Sequence, residues 1–239
     1  HGNRDYLDYS LSRTDPEMLL APLLRVLYDS RSLPVNRLYM LLILLLMLSQ
    51  DSGFMSAAQK AMLASVPWYK DRIIGSVSVG SLMVMVLVKA VQSNLTGAHD
   101  AYVHTNCLAA LANVAPLLRQ LHPHAARCLV SLFDLLARKY LKVSRKTAAL
   151  ANAAEGGGGA AVGDSGRSEE GGDEEGAEAL QMAVDFLRIS LEAINLCLSA
   201  GPALNEHLVY ALLERQAVFA PLRTHELFAD LIENIDLVL

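Results

Sequence analysis

LYMLLILLLMLSQDSGF, Leu38 to Phe54, opens with eleven residues, Leu38 to Leu48, that carry no charge and one weakly polar group, the Tyr39 hydroxyl. A helix rises about 1.5 Å per residue, so the run covers roughly 16 Å against a hydrocarbon core of about 30 Å. Asn36 and Arg37 close one end; Ser49, Gln50 and Asp51 close the other. The run is too short for a span, and it is predicted to be a core helix covered by protein on most sides.

Composition agrees with a helical interior. Of 239 residues, 53% are hydrophobic, 19% charged and only 6% aromatic, with Leu, Ala, Val and Met abundant. Sandwiches and barrels call for more β-branched and aromatic residues in short alternating runs, so helix packed on helix is favoured. The length is sufficient for a substantial core. Net charge is −5, but eight acids and one base, Arg167, fall between Glu155 and Glu178. The remainder is near neutral, without the concentrated basic face of a nucleic-acid binder, so no nucleic-acid partner is expected. Cys107, Cys128 and Cys197 lie far apart in apolar helical contexts. An odd count without a CxxC pair argues against a disulfide framework or a zinc site and predicts buried, reduced thiols. The chain lacks an initiator Met and ends within an apolar pattern, which predicts an excerpt of a longer protein.

Helix signals follow one another from TDPEMLLAPLLRVLY, where Asp15 is placed to cap, Pro16 starts the helix and Glu17 complements the dipole. Leu19, Leu20, Leu23, Leu24 and Leu27 then recur at helical spacing, with Pro22 tolerated or kinking. The second helix begins near Pro34 and is predicted to stop at Gly53; a shorter one, Ala57 to Ala64, ends before Pro67. Ile73 to Val88 gives sixteen uncharged residues, roughly 24 Å as a helix. Its valine content keeps a buried strand open, and Arg72 and Lys89 are placed to snorkel if Ile73 to Val91 spans a membrane. No partner strand is evident, and three serines and two glycines dilute a span, so a buried helix is preferred.

Beyond Ala98, HTNCLAALANVAPLLRQL is helical as far as Pro116, which kinks it or starts a new helix. A long helix after Pro123 puts Leu129, Leu132, Phe133, Leu136 and Tyr140 on one face. Residues 151–178, with nine glycines and eight acids from Glu155 to Glu178, read as a flexible acidic linker. It divides a helical segment, 1–150, from its continuation, 179–239. Gly201-Pro202 separates the next two helices, and Thr224 is placed to cap the last. About eight helices of 12 to 25 residues are expected. No strict repeat is present, yet an all-α, irregular armadillo/HEAT-like solenoid is the natural packing for so many similar helices.

Catalytic chemistry finds little support. GDSG at Gly163 to Gly166 lies in the glycine-acid segment with no histidine partner, and the GGGG run has no following GKS or GKT. His122 and His124 are two apart and His99 and His104 five apart, neither of which stacks imidazoles on one helical turn. Asn94-Leu95-Thr96 matches a glycosylation sequon by accident of composition. No catalytic residue, metal, cofactor or small-molecule substrate is expected.

Two features suit a partner. Arg138, Lys139, Lys142, Arg145 and Lys146 form a basic stripe on the long helix, able to face anionic lipid or an acidic protein. A plain solvated face, onto which the acidic linker could fold, is the favoured reading of the stripe. CLAALANVA, Cys107 to Ala115, is similar to the third helix of an armadillo repeat, in which an asparagine at the position of Asn113 bonds a bound peptide. In the structural alternative, Asn113 satisfies a neighbouring carbonyl.

Several segments together carry a family resemblance: RTD near Arg13, DSGF at Asp51 to Phe54, Trp68-Tyr69, and GSL at Gly80 to Leu82. HTNCLAALAN at His104 to Asn113, LVYALL at Leu208 to Leu213, RTH at Arg223 to His225 and NIDLV at Asn234 to Val238 complete it. Their order and spacing resemble the carboxy-terminal half of the dymeclin family, Golgi-associated proteins. The resemblance covers all but the acidic linker. It implies an all-helical, non-enzymatic protein that is peripheral to the Golgi, exchanges with cytosol and serves Golgi organisation and vesicle traffic by contacting other proteins. Family members carry an amino-terminal Met-Gly open to myristoylation, and Gly2, following His1, is not such a site. The alternative is an integral trafficking component with a span at about 73–91.

Overall fold

The computed structural model describes residues 15–156 and 170–239, with side chains described except at 150–156 and 170–175. Among the described residues are nine α-helices: α1 (Pro16–Tyr28), α2 (Val35–Ser49), α3 (Ser52–Lys60), α4 (Val79–Leu95), α5 (Ala101–Val114), α6 (Pro123–Gly156), α7 (Glu170–Leu198), α8 (Glu206–Glu214) and α9 (Ala229–Asp236). They range from 8 to 34 residues, a wider spread than the periodicity predicts. Two two-residue strands, β1 (Met62–Leu63) and β2 (Val77–Ser78), pair antiparallel, with Met62 opposite Ser78 and Leu63 opposite Val77.

The helices pack in two rows. α1, α4, α6 and α8 are neighbours in that order, and α2, α5, α7 and α9 run alongside. Between rows, α1 meets α2, α4 meets α5, and α6 meets α7, while α3 wedges against α1, α2 and α4. One continuous apolar core, from Leu20 to Ile235, lies between the rows. Helices on both sides of the acidic segment share it, because α7 packs against both α5 and α6.

α4 is the axis of this arrangement. Fourteen of its seventeen residues are buried, with α1, α3, α5 and α6 around it. The segment 73–88 is therefore helical only from Val79. Ser78 Oγ accepts from Ser81 N at 3.1 Å and caps that start. Ahead of it, Val77 and Ser78 find the strand partner that was not visible in the pattern, and Ile73 stands 97% exposed. Among the described residues no single helix is long and apolar enough to cross a membrane; α2 and α3 reach that length and composition only as a pair bent by 94°.

Four other expectations change. α2 is covered on one face and not on most sides: Leu41, Leu42, Leu45 and Leu48 are buried while Met40, Ile43 and Met47 are exposed. Gly53 does not terminate α2, which ends at Ser49. It lies in the first turn of α3, whose Phe54 N–H is taken by Asp51 Oδ1 at 2.7 Å, so α3 begins five residues before Ala57. Asp15 starts α1 through its carbonyl, which accepts from Met18 N at 3.1 Å, and not through a side-chain cap. Thr224 caps nothing: three-residue 3₁₀ turns occupy Gln216–Val218 and Ala220–Leu222, and α9 starts only at Ala229 behind Phe228.

Pro116 ends α5 in a 3₁₀ turn and α6 begins at Pro123, where the missing N–H costs nothing. Leu129, Leu132, Phe133, Leu136 and Tyr140 are all buried on α6, as its periodicity predicts. α6 runs on to Gly156 and α7 starts at Glu170, so both enter the stretch expected as linker. The middle of that stretch, with GDSG and most of GGGG, lies outside the described residues.

Candidate functional site

Buried polar groups set the geometry of the loops between the helices. Asn205, fully buried, donates from Nδ2 to Leu118 O at 2.9 Å and Cys197 O at 2.7 Å, and its Oδ1 accepts from Leu121 N at 3.1 Å. One side chain thereby ties the α5–α6 loop to the end of α7 and the start of α8. Gln120 N adds a bond to Leu204 O at 2.6 Å. Asp134 on α6 accepts Arg138 Nε at 2.8 Å and Arg215 Nη1 at 3.0 Å, latching the end of α8 to α6. In sequence, nothing distinguished Asn205 or Asp134 from ordinary surface positions.

Asn94 is likewise interior. Its Nδ2 donates to Asp100 O at 2.7 Å and lies 3.2 Å from the imidazole nitrogens of His104, while Asp100 N donates to its Oδ1. The sequon amide is thus occupied. Burial drives the His104 pKa down to about 4, with Lys139 adding to the shift, so the ring is neutral and able to accept from Asn94.

The predicted site residues separate. Asn113 Nδ2 donates to Ser49 Oγ at 2.9 Å, and Ser49 Oγ in turn donates to Leu46 O at 2.7 Å. The amide predicted to meet either a peptide or a carbonyl therefore joins α5 to the end of α2 through a hydroxyl. On the stripe, Arg138 is committed to Asp134 and belongs to the α8 latch. Burial lowers the pKa of Lys139. Lys142, Arg145 and Lys146 are exposed and form no ion pair among the described residues.

Among the described residues, His122, His124 and the three cysteines are held in local contacts. His122 Nδ1 accepts from His124 N at 3.1 Å, and His124 Nε2 lies 3.1 Å from Tyr69 Oη and 3.7 Å from Cys128 Sγ. Burial pushes the thiols of Cys107 and Cys197 up to about 12 and that of Cys128 up to about 11, so all three are held as thiols. No group of three or more metal-ligating side chains forms among the described residues.

A second cationic locus, unforeseen in the sequence, lies where the 64–76 loop meets α6 and α8. A cleft of about 370 Å³ there takes Arg72 from the loop, Arg127 from α6 and Arg215 from the end of α8 into one lining, with Gln92, Ser131 and Glu214. These residues lie at separations no local motif would link.

The fold is thus a mostly helical, two-row stack with one short strand pair, whose buried polar groups fix loops and helix ends. The family model described as "Dymeclin: Dyggve-Melchior-Clausen syndrome protein" matches residues 1–239. Dymeclin of Gallus gallus is 38% identical over 240 residues, covering 100% of this chain and 34% of its own length. Dymeclin of Drosophila melanogaster is 36% identical over 238 residues, at 100% and 33%. Dymeclin of Dictyostelium discoideum is 38% identical over 143 residues, at 60% and 15%. The chain belongs to the dymeclin family, and the match falls in the carboxy-terminal part of its relatives. It spans about a third of the length of the curated relatives from Gallus gallus and Drosophila melanogaster. No solved structure matches it.

Proposed function

We propose that this chain is part of a non-enzymatic scaffold, peripheral to the Golgi and exchanging with cytoplasm, that serves Golgi organisation and vesicle traffic through contacts with other proteins. Membership of the dymeclin family supports the setting. The observation that carries the scaffold reading is the two-row packing of α1–α4–α6–α8 against α2–α5–α7–α9, which fits an irregular armadillo/HEAT-like solenoid. Such stacks present long helix faces, and affinity comes from a few anchors in a face. Of the stripe, Lys142, Arg145 and Lys146 remain available for an acidic partner or an anionic membrane surface.

The burial of α4 by four helices argues against the span at about 73–91, because a lipid-facing segment would have to expel those neighbours. Alkaline carbonate extraction of membranes bearing the full-length protein tests the reading. Release into the supernatant is the expected result. Retention that persists after removal of any acyl chain would overturn it in favour of an integral protein.

A further inference from the structure

We propose that the cleft formed by Arg72, Arg127 and Arg215 binds a phosphorylated polyol, a sugar- or inositol-type phosphomonoester. Three elements distant in sequence each bring a guanidinium to its lining. Two of these are held by other contacts. Arg215 is fixed by Asp134, and the backbone around Arg72 is pinned on both sides: Tyr69 reaches His124 on α6, and Asp71 pairs with Lys89 on α4. Lys70 N donates to Tyr28 Oη at 2.8 Å and completes the anchoring.

Charge is left over once these contacts are made. The acid adjacent to Arg72 is taken by Lys89, and Arg72 and Arg127 make no ion pair among the described residues. Burial first, and then the same two guanidiniums, lower the pKa values of His124 in the lining and of His122 beside it, so neither imidazole is the source of the site's positive charge. Glu214 is the one carboxylate in the lining.

The chemistry favours a phosphate on a hydroxylated carrier. A phosphomonoester brings close to two charges and three acceptor oxygens, enough for guanidiniums arriving from several directions, whereas one guanidinium saturates a carboxylate in a single plane. Glu214 would repel a bare anion and accept hydrogen bonds from polyol hydroxyls, as would the Gln92 amide oxygen. A volume of about 370 Å³ lies within the usual range of about 300–1,000 Å³ for small-ligand sites. The source is a free phosphate ester or a lipid headgroup, and the test separates them.

Isothermal titration of the full-length chain with inositol monophosphate reads the soluble source. Sedimentation with phosphatidylcholine vesicles carrying a phosphatidylinositol monophosphate, against vesicles carrying phosphatidylserine, reads the lipid source. Saturable binding in either arm is expected, weakened roughly tenfold or more by Arg72→Gln or Arg127→Gln, because each removes a charged hydrogen bond. Both positions are exposed, so unchanged thermal midpoints confirm that folding is retained. Lys142→Gln with Lys146→Gln leaves the soluble binding intact. Binding in the soluble arm alone assigns a free ester; binding in the vesicle arm that the same arginine variants abolish assigns the headgroup. Absence of saturable binding in both arms, or equal loss in the lysine variant, overturns the proposal and leaves the scaffold reading untouched.

Discussion

Asn205 shows how one side chain can govern a junction between rows. Its three bonds satisfy two carbonyls and one N–H in a region with no water access, where each unmet group costs about 1–3 kcal/mol. Asn205→Ala is expected to lower stability by about 3 kcal/mol or more, read as a lower urea midpoint. A midpoint within error of the parent would show that the loops re-pair without it. His104 makes a pH-dependent prediction. Its ordinary pKa is 6.5 and its folded value about 4, so between these values the unfolded chain binds a proton that the native chain refuses. Stability therefore falls as pH drops from about 6.5 to about 4 and levels off below that. His104→Gln should flatten this window, measured as thermal midpoints across it. An unchanged slope would place the acid sensitivity at other groups.

Among elements, α4 depends most on close approach. A methyl group at Gly80 would run into the Gln59 carboxamide of α3, whose Nε2 donates to Arg119 O. Gly80→Ala is expected to cost about 1–3 kcal/mol by overpacking. Replacing Gln59 with Ala in that background should remove part of the penalty, so the double variant costs less than the sum of the singles. Strict additivity in a thermal denaturation series would show that Gln59 is not the obstacle. At the end of α8, Arg215 exemplifies a residue with two demands on it: Asp134 fixes one edge of its guanidinium while the rest faces the cleft.

At the scale of the whole molecule, the stack carries exposed apolar side chains on its first helices: Met40, Ile43 and Met47 on α2, with Met18 and Val26 on α1. Scattered exposed apolar residues are ordinary in folded proteins, and each of these adds apolar area that water covers. Met40→Gln combined with Met47→Gln is expected to leave the unfolding midpoint within about 0.5 kcal/mol of the parent and to reduce light scattering at high concentration. A large loss of stability would instead make those side chains part of the core.

Much of the helical architecture was legible because burial imposes a 3.6-residue period that survives in one dimension. Leu20, Leu24 and Leu27 on α1 and the Leu129-to-Tyr140 face of α6 went inside as their spacing demanded. Family membership was legible as well, since HTNCLAALAN and LVYALL are local strings that need no fold to be read. Two apolar runs that looked alike, 38–48 and 73–88, parted only in three dimensions. Hydropathy measures what a segment tolerates, while coverage depends on how many neighbours arrive: four around α4, but a covered side on α2 opposite exposed Met40 and Met47. Tertiary contacts likewise placed Asn113 against Ser49, took Arg138 out of the free stripe, and drew Arg72, Arg127 and Arg215 together. Side-chain partners across loops are set by the path of the chain in space, which periodicity along one helix does not encode.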